Sequence, residues 1–425
     1  MLLEEQLPLL YARRRFGIKP GVERVVQLLE RLGNPHQTFR TIHVVGTNGK
    51  GSTASFLASI LTASGYRTAL FTSPHLVAFN ERFRINGDEI SDFKLSRLIA
   101  CVLAVAPDES TFFEIVTAMA ALYFAEEKVD VAVMEAGMGG RSDATAAFHG
   151  IATLLTPVSL DHTDYLGVTV QDIASEKIAI APSETPVIVG KQSDDVHTAI
   201  AAWCAEHAFT PLLLDNSVNS YWNDDGTFDY HGIGTDFNSL LSGIGGAYQL
   251  ENASLALLAA EYLRNDGWVL PDESVRSGIA DASWSGRMEL IPGKPQIILD
   301  GAHNAAGMEA MAASLSKFKK NGRFLIVIGI MADKDLSTML SFLPDSAIYY
   351  CVKPNIERAM SDLALKDTIA AAGMIASASG GVADGIKKAK LDAKPGDLIV
   401  VCGSLFTVGE AKALFNGKKF VGIRG

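Results

Sequence analysis

The stretch HVVGTNGKGST, from His43 to Thr53, sets three glycines and a lysine between an apolar run and a helix-like one, with hydroxyl residues at its end. These are the parts of a phosphate cradle. Small residues at Gly46, Gly49 and Gly51, with Thr47 and Asn48 between them, let the backbone curl close around phosphate oxygens. The N-terminus of the following helix adds aligned N–H groups and a partial positive charge. Lys50 supplies a full charge for the β- and γ-phosphates, and Ser52 or Thr53 a hydroxyl for Mg²⁺. The spacing departs from G-x-x-x-x-G-K-[ST]: the loop is shortened before the lysine and carries Gly51 after it. A ligand-free strand-to-helix turn is the competing reading, and the strand, lysine and hydroxyls together favour a nucleotide.

A second constellation, VDVAVMEAGMGGRSDAT, ends an apolar strand on Glu135 and follows it with another glycine-rich turn. Ligands gather beyond the C-terminal ends of strands in open α/β sheets, so Glu135 is positioned to hold a Mg²⁺ on the phosphates that Lys50 grips. Read alone, a strand-end acid capping a helix is the preferred reading; the second glycine-rich turn that follows sets Glu135 apart. Other residues are silent by themselves. His162 in LDHTDYLG is a loop residue and Lys177, fifteen residues on, a solvated helix residue. Asp300, after the strand QIILD at a sheet's C-terminal edge, reads evenly as a turn residue or a ligand contact, and Arg287 evenly as a surface cation or a ligand contact.

The elements that must carry these residues are legible as periodicity. TIHVV, TALFT, VDVAVME, IATLLT and TPVIVG, then QIILD, RFLIVIGI, SAIYYCV and DLIVVCG, are short β-branched apolar runs. Such runs read as strands covered on both faces, hence a mainly parallel sheet. Helical spacing fills the segments between, as in STASFLASILTASG and ENASLALLAAEYLRNDG. The pattern predicts an α/β fold: an N-terminal, phosphate-loop-containing, mainly parallel sheet domain and a smaller C-terminal Rossmann-like α/β domain. Turn residues and β-like pieces between about Trp222 and Gly246 predict a small antiparallel excursion. Gly- and Pro-rich WSGRMELIPGKP places the boundary near Trp284 to Pro295, giving domains 1–287 and 288–425.

The totals bound the function. A chain of 425 residues, 48% hydrophobic and 20% charged, is long enough for two cores. A net charge of -11 argues against a nucleic-acid partner, while local cations and backbone N–H groups can still bind phosphate. Cys101, Cys204, Cys351 and Cys402 form no C-x-x-C pair, as in reduced thiols of a cytosolic protein. The N-terminus puts acids first and arginines after the apolar residues, the reverse of a secretory signal. No apolar run approaches the roughly 18 residues of a membrane span. A cytoplasmic monomer with no membrane partner is expected.

HVVGTNGKGST strongly resembles the phosphate loop of the folylpolyglutamate synthase/dihydrofolate synthase family, relatives of the Mur peptide ligases. SPHLVAFNERFRING, TFFEIVTAMAALYFA, MEAGMGGRSDAT, LDHTDYLGVTVQDIASEK, WSGRMEL, DGAHN and CGSLFTVGEAKAL are similar to that family's blocks, in its order, from Ile42 to about Leu414. The resemblance implies that Glu135 is a metal ligand, with Ser73 of SPH near the same Mg²⁺. It implies that His162 binds a second Mg²⁺ and that Lys177 is carbamylated by CO₂. A carbamate is a carboxylate on a long stem and offers the hard oxygen Mg²⁺ prefers. Asn252, Arg287 and Asp300 become nucleotide contacts. His303, in the turn after Asp300, belongs near the incoming glutamate. Ser404 is a further candidate, although the glycine-rich turn after DLIVVCG explains it without a ligand. For the acceptor, the resemblance points to Phe112 and Phe113, whose faces stack readily on a pterin ring or equally pack a core, and to Asp143. The chain departs from the family at EKIAI, where E-K-A-G-I is common, at Ser142 in place of leucine, and at Ala146 in place of asparagine. At EKIAI the lysine is kept and its surroundings differ slightly; the changes at Ser142 and Ala146 bear on acceptor preference more than on chemistry.

The implied reaction is ATP-dependent addition of L-glutamate to a pterin-containing acceptor through an acyl phosphate. A cell-wall peptide ligase would share the loop but carries a nucleotide-sugar domain before it, and only about forty-five residues precede Gly46 here. A GTP-dependent switch would need a guanine-reading motif such as N-K-x-D, which is not found.

Overall fold

A computed structural model describes residues 3–13, 21–182, 185–207, 210–316, 318, 322–418 and 420. Arg14 and Arg15, part of the N-terminal charge pattern, lie outside them. The chain forms two α/β units, each around its own sheet, and a three-stranded ribbon.

The larger sheet has eight strands in the order Asp88–Glu89, Phe83–Ile85, Thr68–Phe71, Val131–Glu135, Arg40–Val45, Gly150–Leu155, Val187–Val189 and Leu212–Leu213. Pairing is parallel from Thr68–Phe71 to Leu212–Leu213 and antiparallel only at the Asp88–Ile85 edge. The side chains of Val131–Glu135 alternate between two cores. Val131 and Val133 join Ile42, Val44, Phe56 and Leu57 on one face. Ala132 and Met134 join Phe71, Ile115 and Met119 on the other. Burial on both faces explains why this strand reads as a continuous apolar run.

The helix after the phosphate loop, Lys50–Ala63, is apolar on nearly every side, the pattern of a helix buried all round. It lies between the sheet and two covering helices, Gln249–Asn265 and Asp272–Asp281. A Cβ added at Gly278 would stand 2.5 Å from the Ile60 Cα, so glycine sets the closeness of that crossing. The predicted antiparallel excursion is the ribbon Asn219–Trp222, Phe228–His231 and Asp236–Leu240. Its Phe228, Tyr230 and Phe237 extend the core beneath Gln249–Asn265.

The second sheet runs Glu289–Ile291, Gln296–Leu299, Leu398–Cys402, Phe324–Ile328, Ile348–Cys351 and Ile375–Ala378. Only its first strand is antiparallel. Residues 282–288 join the two units. Among the described residues no helix is long and apolar enough to cross a membrane.

Gly278→Ala is expected to destabilise the larger unit by about 1–3 kcal/mol, because the new methyl meets backbone that cannot rotate away. A fall in the thermal midpoint checks this, and an unchanged midpoint would show that the helix pair relaxes freely.

Candidate active site

Parallel pairing sets Val44 opposite Glu135. The phosphate loop and the carboxylate therefore leave the sheet side by side at its C-terminal edge. The loop is braced from the next strand: the main-chain N–H groups of Thr47 and Asn48 donate to Pro157 O at 3.0 and 3.2 Å. Those two amides are occupied, which leaves the N–H groups of Lys50, Gly51 and Ser52, in the first helical turn, without partners within the helix. Gly49 has φ +85°, and a Cβ there would lie 2.3 Å from Asn252 Oδ1. Only glycine satisfies both the turn and that approach. Lys50 Nζ curls back to donate to Gly46 O and Thr47 O, each at 3.1 Å.

A cavity of about 340 Å³ opens between the two units. Gly46, Thr47, Asn48, Gly49, Lys50, Gly51 and Ser52 line it, together with Ser73, Glu135, His162, Lys177 and Asn252 from the larger unit. Arg287, from the joining segment, and Asp300 and His303, from the smaller unit, face the same space.

Glu135 is buried, and the Ser73 N–H donates to its Oε2 at 3.1 Å. Burial raises its pKa, against the pull of Lys50, that N–H and Arg287. A buried carboxylate so incompletely compensated fits a hard divalent cation, which typically takes one or two carboxylates and completes its shell with phosphate oxygens and water. Ser52 is buried beside it, its Oγ accepting from Gln249 Nε2 at 3.2 Å. Among the described residues, no three His, Cys, Asp or Glu side chains form a ready metal cage. Any metal here must draw ligands from hydroxyls and from what it binds.

Lys177 is buried in the helix Val170–Ile178. Its amine has no hydrogen-bond or ion-pair partner among the described residues. Burial, with Lys50 nearby, lowers its pKa to about 7, against Asp161, Asp143 and Glu176. The amine is thus about half neutral near that pH and increasingly nucleophilic above it. His162 adopts φ +51° before the short helix Thr163–Leu166. Burial lowers its pKa, Asp161 opposing and Lys334, Lys50 and Lys177 assisting.

In the smaller unit, Asp300 is saturated. Its Oδ2 accepts from Tyr248 OH at 2.7 Å and Met288 N at 2.9 Å, and its Oδ1 from Ala302 N at 2.9 Å. A Cβ at Gly301 would lie 2.3 Å from Arg287 Nη1, so glycine leaves the guanidinium room to cross this turn. His303 Nδ1 faces Gly301 O at 2.9 Å, and burial lowers its pKa to about 4.

Five predicted residues do not reach the cavity wall. Thr53 is buried, its hydroxyl 3.5 Å from Asn252 Oδ1. Phe112 is a core residue: Tyr11 stacks on it at 5.7 Å and the Arg82 guanidinium lies 5.5 Å from its ring. Asp143 is buried and already accepts from Met138 N, Thr145 N and Thr145 Oγ1, so it holds the second glycine-rich turn in shape. Ser404 caps the helix Leu405–Phe415 through Thr407 N at 3.1 Å. Phe113 lies behind the cavity wall, its ring against Gly137, where a Cβ would meet it at 2.5 Å.

Sequence reasoning missed Asp161, Tyr248 and Glu251, which also line the cavity. The strand-end rule that singled out Glu135 applies to Asp161 as well. Tyr248 and Glu251 share a helix start with Asn252. Asp161 Oδ1 pairs with Lys334 Nζ of the smaller unit at 2.9 Å. Burial works against its ionisation, but His162, Lys334 and His303 outweigh it and hold the carboxyl well below the usual range.

Residues 44–260 match the Mur ligase middle domain, and residues 286–405 the glutamate ligase domain of Mur ligases. The dihydrofolate synthase/folylpolyglutamate synthase of Bacillus subtilis (strain 168) is 35% identical over 348 residues, 79% of this chain and 81% of that protein. E. coli FolC, solved in complex with DHPP and ADP, matches with a TM-score of 0.90 and 31% identity over 98% of each chain. The bifunctional enzyme from Yersinia pestis, solved with AMPPNP and Mn ion, matches with a TM-score of 0.88 and 31% identity, again over 98% of each. With the ordered motifs and the shared cavity, these likenesses settle the relationship: the chain belongs to the folylpolyglutamate synthase/dihydrofolate synthase family, within the Mur ligase superfamily.

Proposed function

We propose that this chain is an ATP-dependent, ADP-forming amide ligase that adds L-glutamate to dihydropteroate, to reduced folate polyglutamates, or to both. The observation that carries the reading is one cavity, enclosed by both units, in which a phosphate loop faces a buried carboxylate and an unpartnered buried lysine. ATP and a divalent metal are the cofactors, as they are the classes of ligand found in the similar structures.

A carboxylate is a poor electrophile. The acceptor carboxylate attacks the γ-phosphorus of ATP, the bond to the β-bridging oxygen breaks, and ADP leaves an acyl phosphate. The amine of glutamate, having lost a proton, attacks the acyl carbon, and inorganic phosphate departs. The protein's part is positioning and charge stabilisation. Lys50 and the first-turn N–H groups hold the phosphates; Asn252, Arg287 and Asp300 orient the nucleotide; His303 lies towards the glutamate side. Phe113 supports the acceptor pocket from behind Gly137. We extend the acceptor reading to Asp143, through the turn it braces, and assign Thr53, Phe112 and Ser404 supporting roles.

Ser52, Ser73 and Glu135 would hold one Mg²⁺, and His162 and a carbamylated Lys177 a second. When bound, the metals would neutralise phosphate oxygens as the phosphoryl group moves. Carbamylation joins the neutral lysine amine to CO₂ and releases one proton, leaving a carbamate anion. The lowered pKa and the lack of a partner for Lys177 support this step. The division at 287/288, with a smaller domain closing to keep water from the acyl phosphate, and a cytoplasmic monomer complete the reading.

Parallel turnover with dihydropteroate and with a reduced folate tests the function. ADP release should require both glutamate and a pterin acceptor, and acceptor-independent nucleotide hydrolysis would overturn it. Lys50→Ala should lower turnover by about 100-fold or more without changing the melting temperature; near-normal activity would remove the phosphate-loop assignment. Lys177→Ala should lose activity that short carboxylic acids partly restore. In the parent enzyme, activity should rise with pH through about 7 as the Lys177 amine loses its proton. A fully active Lys177→Ala enzyme would end the carbamate assignment.

A further inference from the structure

Resting on the ligase reading above, we infer that Asp161, facing His303 across the joint between the units, forms the subsite that receives the ammonium group of the incoming amino acid.

The geometry begins with an unusual pairing of acceptors. His303 Nδ1 lies 2.9 Å from Gly301 O. A carbonyl only accepts, so Nδ1 carries the proton, and in the neutral form that burial favours Nε2 is a bare acceptor. That Nε2 points at Asp161 Oδ2 from 3.9 Å. The distance is too long for a hydrogen bond, and two lone-pair atoms facing each other attract nothing between themselves. They suit a donor seated between them that reaches both.

The other oxygen of Asp161 is already engaged. Oδ1 accepts from Lys334 Nζ at 2.9 Å and from His162 N at 3.0 Å. Among the described residues no hydrogen bond reaches Oδ2; His162 Nε2, like His303 Nε2, lies 3.9 Å away. The carboxylate is thus fixed by one oxygen and open through the other, with its side chain only 10% exposed.

A cationic N–H donor fits this gap by charge and by hydrogen-bond count. An ammonium offers three donors and no acceptor, and a charge-assisted bond to a mostly buried carboxylate is among the stronger polar contacts. Asp161, His303, Lys50, Lys177 and Glu135 line one cavity, so an amine held here lies in the chamber where the phosphate loop ends. Nucleotide and acyl phosphate bring negative charge to that chamber; among the organic substrates the amino acid alone brings a cationic group that must approach it. Asp161 belongs to the larger unit and His303 to the smaller, so the subsite is complete only when both are in place.

Asp161→Asn keeps the shape and removes the charge. It should raise the KM for glutamate about tenfold or more. The first half of the reaction should persist: with hydroxylamine replacing glutamate, acceptor-dependent ADP release and hydroxamate formation should stay near the parent rate, since this neutral nucleophile needs no ammonium subsite. An unchanged glutamate KM, or a parallel fall in the hydroxylamine reaction, would overturn the inference. Lys334→Met breaks the contact between units while leaving Oδ2, and loss of a latch should slow the glutamate and hydroxylamine reactions alike. Should Asp161→Asn show that same pattern, Asp161 acts only as a latch and the inference fails. Glutarate, which lacks the amine, needs no variant at all. It should inhibit the parent enzyme far more weakly than the glutamate KM would suggest, and inhibition matching that KM would count against the subsite. A parent enzyme that releases no ADP with acceptor and hydroxylamine would instead sink the ligase reading itself.

Discussion

The pairing of Arg40–Val45 with Val131–Glu135 is the constraint from which the site follows. Val44 opposite Glu135 brings a carboxylate level with the first residues of the phosphate loop. Side chains alternate across a sheet, so a slip of one residue would bring Met134 or Ala136 to that level and turn the acid to the other face. The apolar alternation of Val131, Ala132, Val133 and Met134 between two cores forbids the slip. Hydrophobic packing far from the cavity thereby fixes the position of a charge within it. The cost is a buried carboxyl whose ionisation is opposed by burial and supported by Lys50 and Arg287, one from the loop and one from the segment joining the units.

The two units meet through unlike contacts. Leu76 of the larger unit shares an apolar cluster with Val408 of the smaller, and Tyr248 packs against the cluster containing Met288. Nearer the phosphate loop the contacts are polar. Asn304 Nδ2 donates to Asn48 Oδ1 at 3.1 Å, and Lys334 meets Asp161. Polar contacts of this kind exchange readily with water, whereas apolar ones hold. An apolar seam on one side and polar contacts on the other suit a pair of units that part and close about the seam. Asn48 is both a loop residue and a contact to the smaller unit, so occupancy of the loop and closure share one side chain.

The strands of both sheet interiors were legible because each is apolar over its whole length, and the phosphate loop because glycine, lysine and hydroxyls leave few other uses. The strands that escaped notice are marginal ones. Phe83–Ile85, Asp88–Glu89 and Leu212–Leu213 are two or three residues long, and Ile375–Ala378, at an edge, alternates exposed and half-buried positions. Asp143, Phe112 and Ser404 show a different limit. Their residue types suit ligand binding, yet a turn, an aromatic core and a helix cap use the same chemistry, and spacing does not distinguish these uses. Asp161 was passed over for a third reason. Its partners, Lys334 and His303, stand 173 and 142 residues away, and only the folded chain brings them to it.

The crowding of cations around the cavity has a consequence for Lys177. An acidic chain of net charge -11 must collect positive charge locally to hold a triphosphate. Lys50, Lys177 and Arg287 all face one chamber, and each added cation makes the next harder to keep. The most buried of the lysines yields first: burial above all, and Lys50 after it, lowers the Lys177 pKa to about 7. A neutral amine in that position no longer repels Lys50, and it is the form of lysine that reacts with CO₂. On the proposed reading, charge crowding that would otherwise strain the empty site is relieved by a modification that reverses the sign of one member. The same reversal turns a group unfit to bind a metal into an oxygen ligand, so relief of repulsion and assembly of the second metal site are one event.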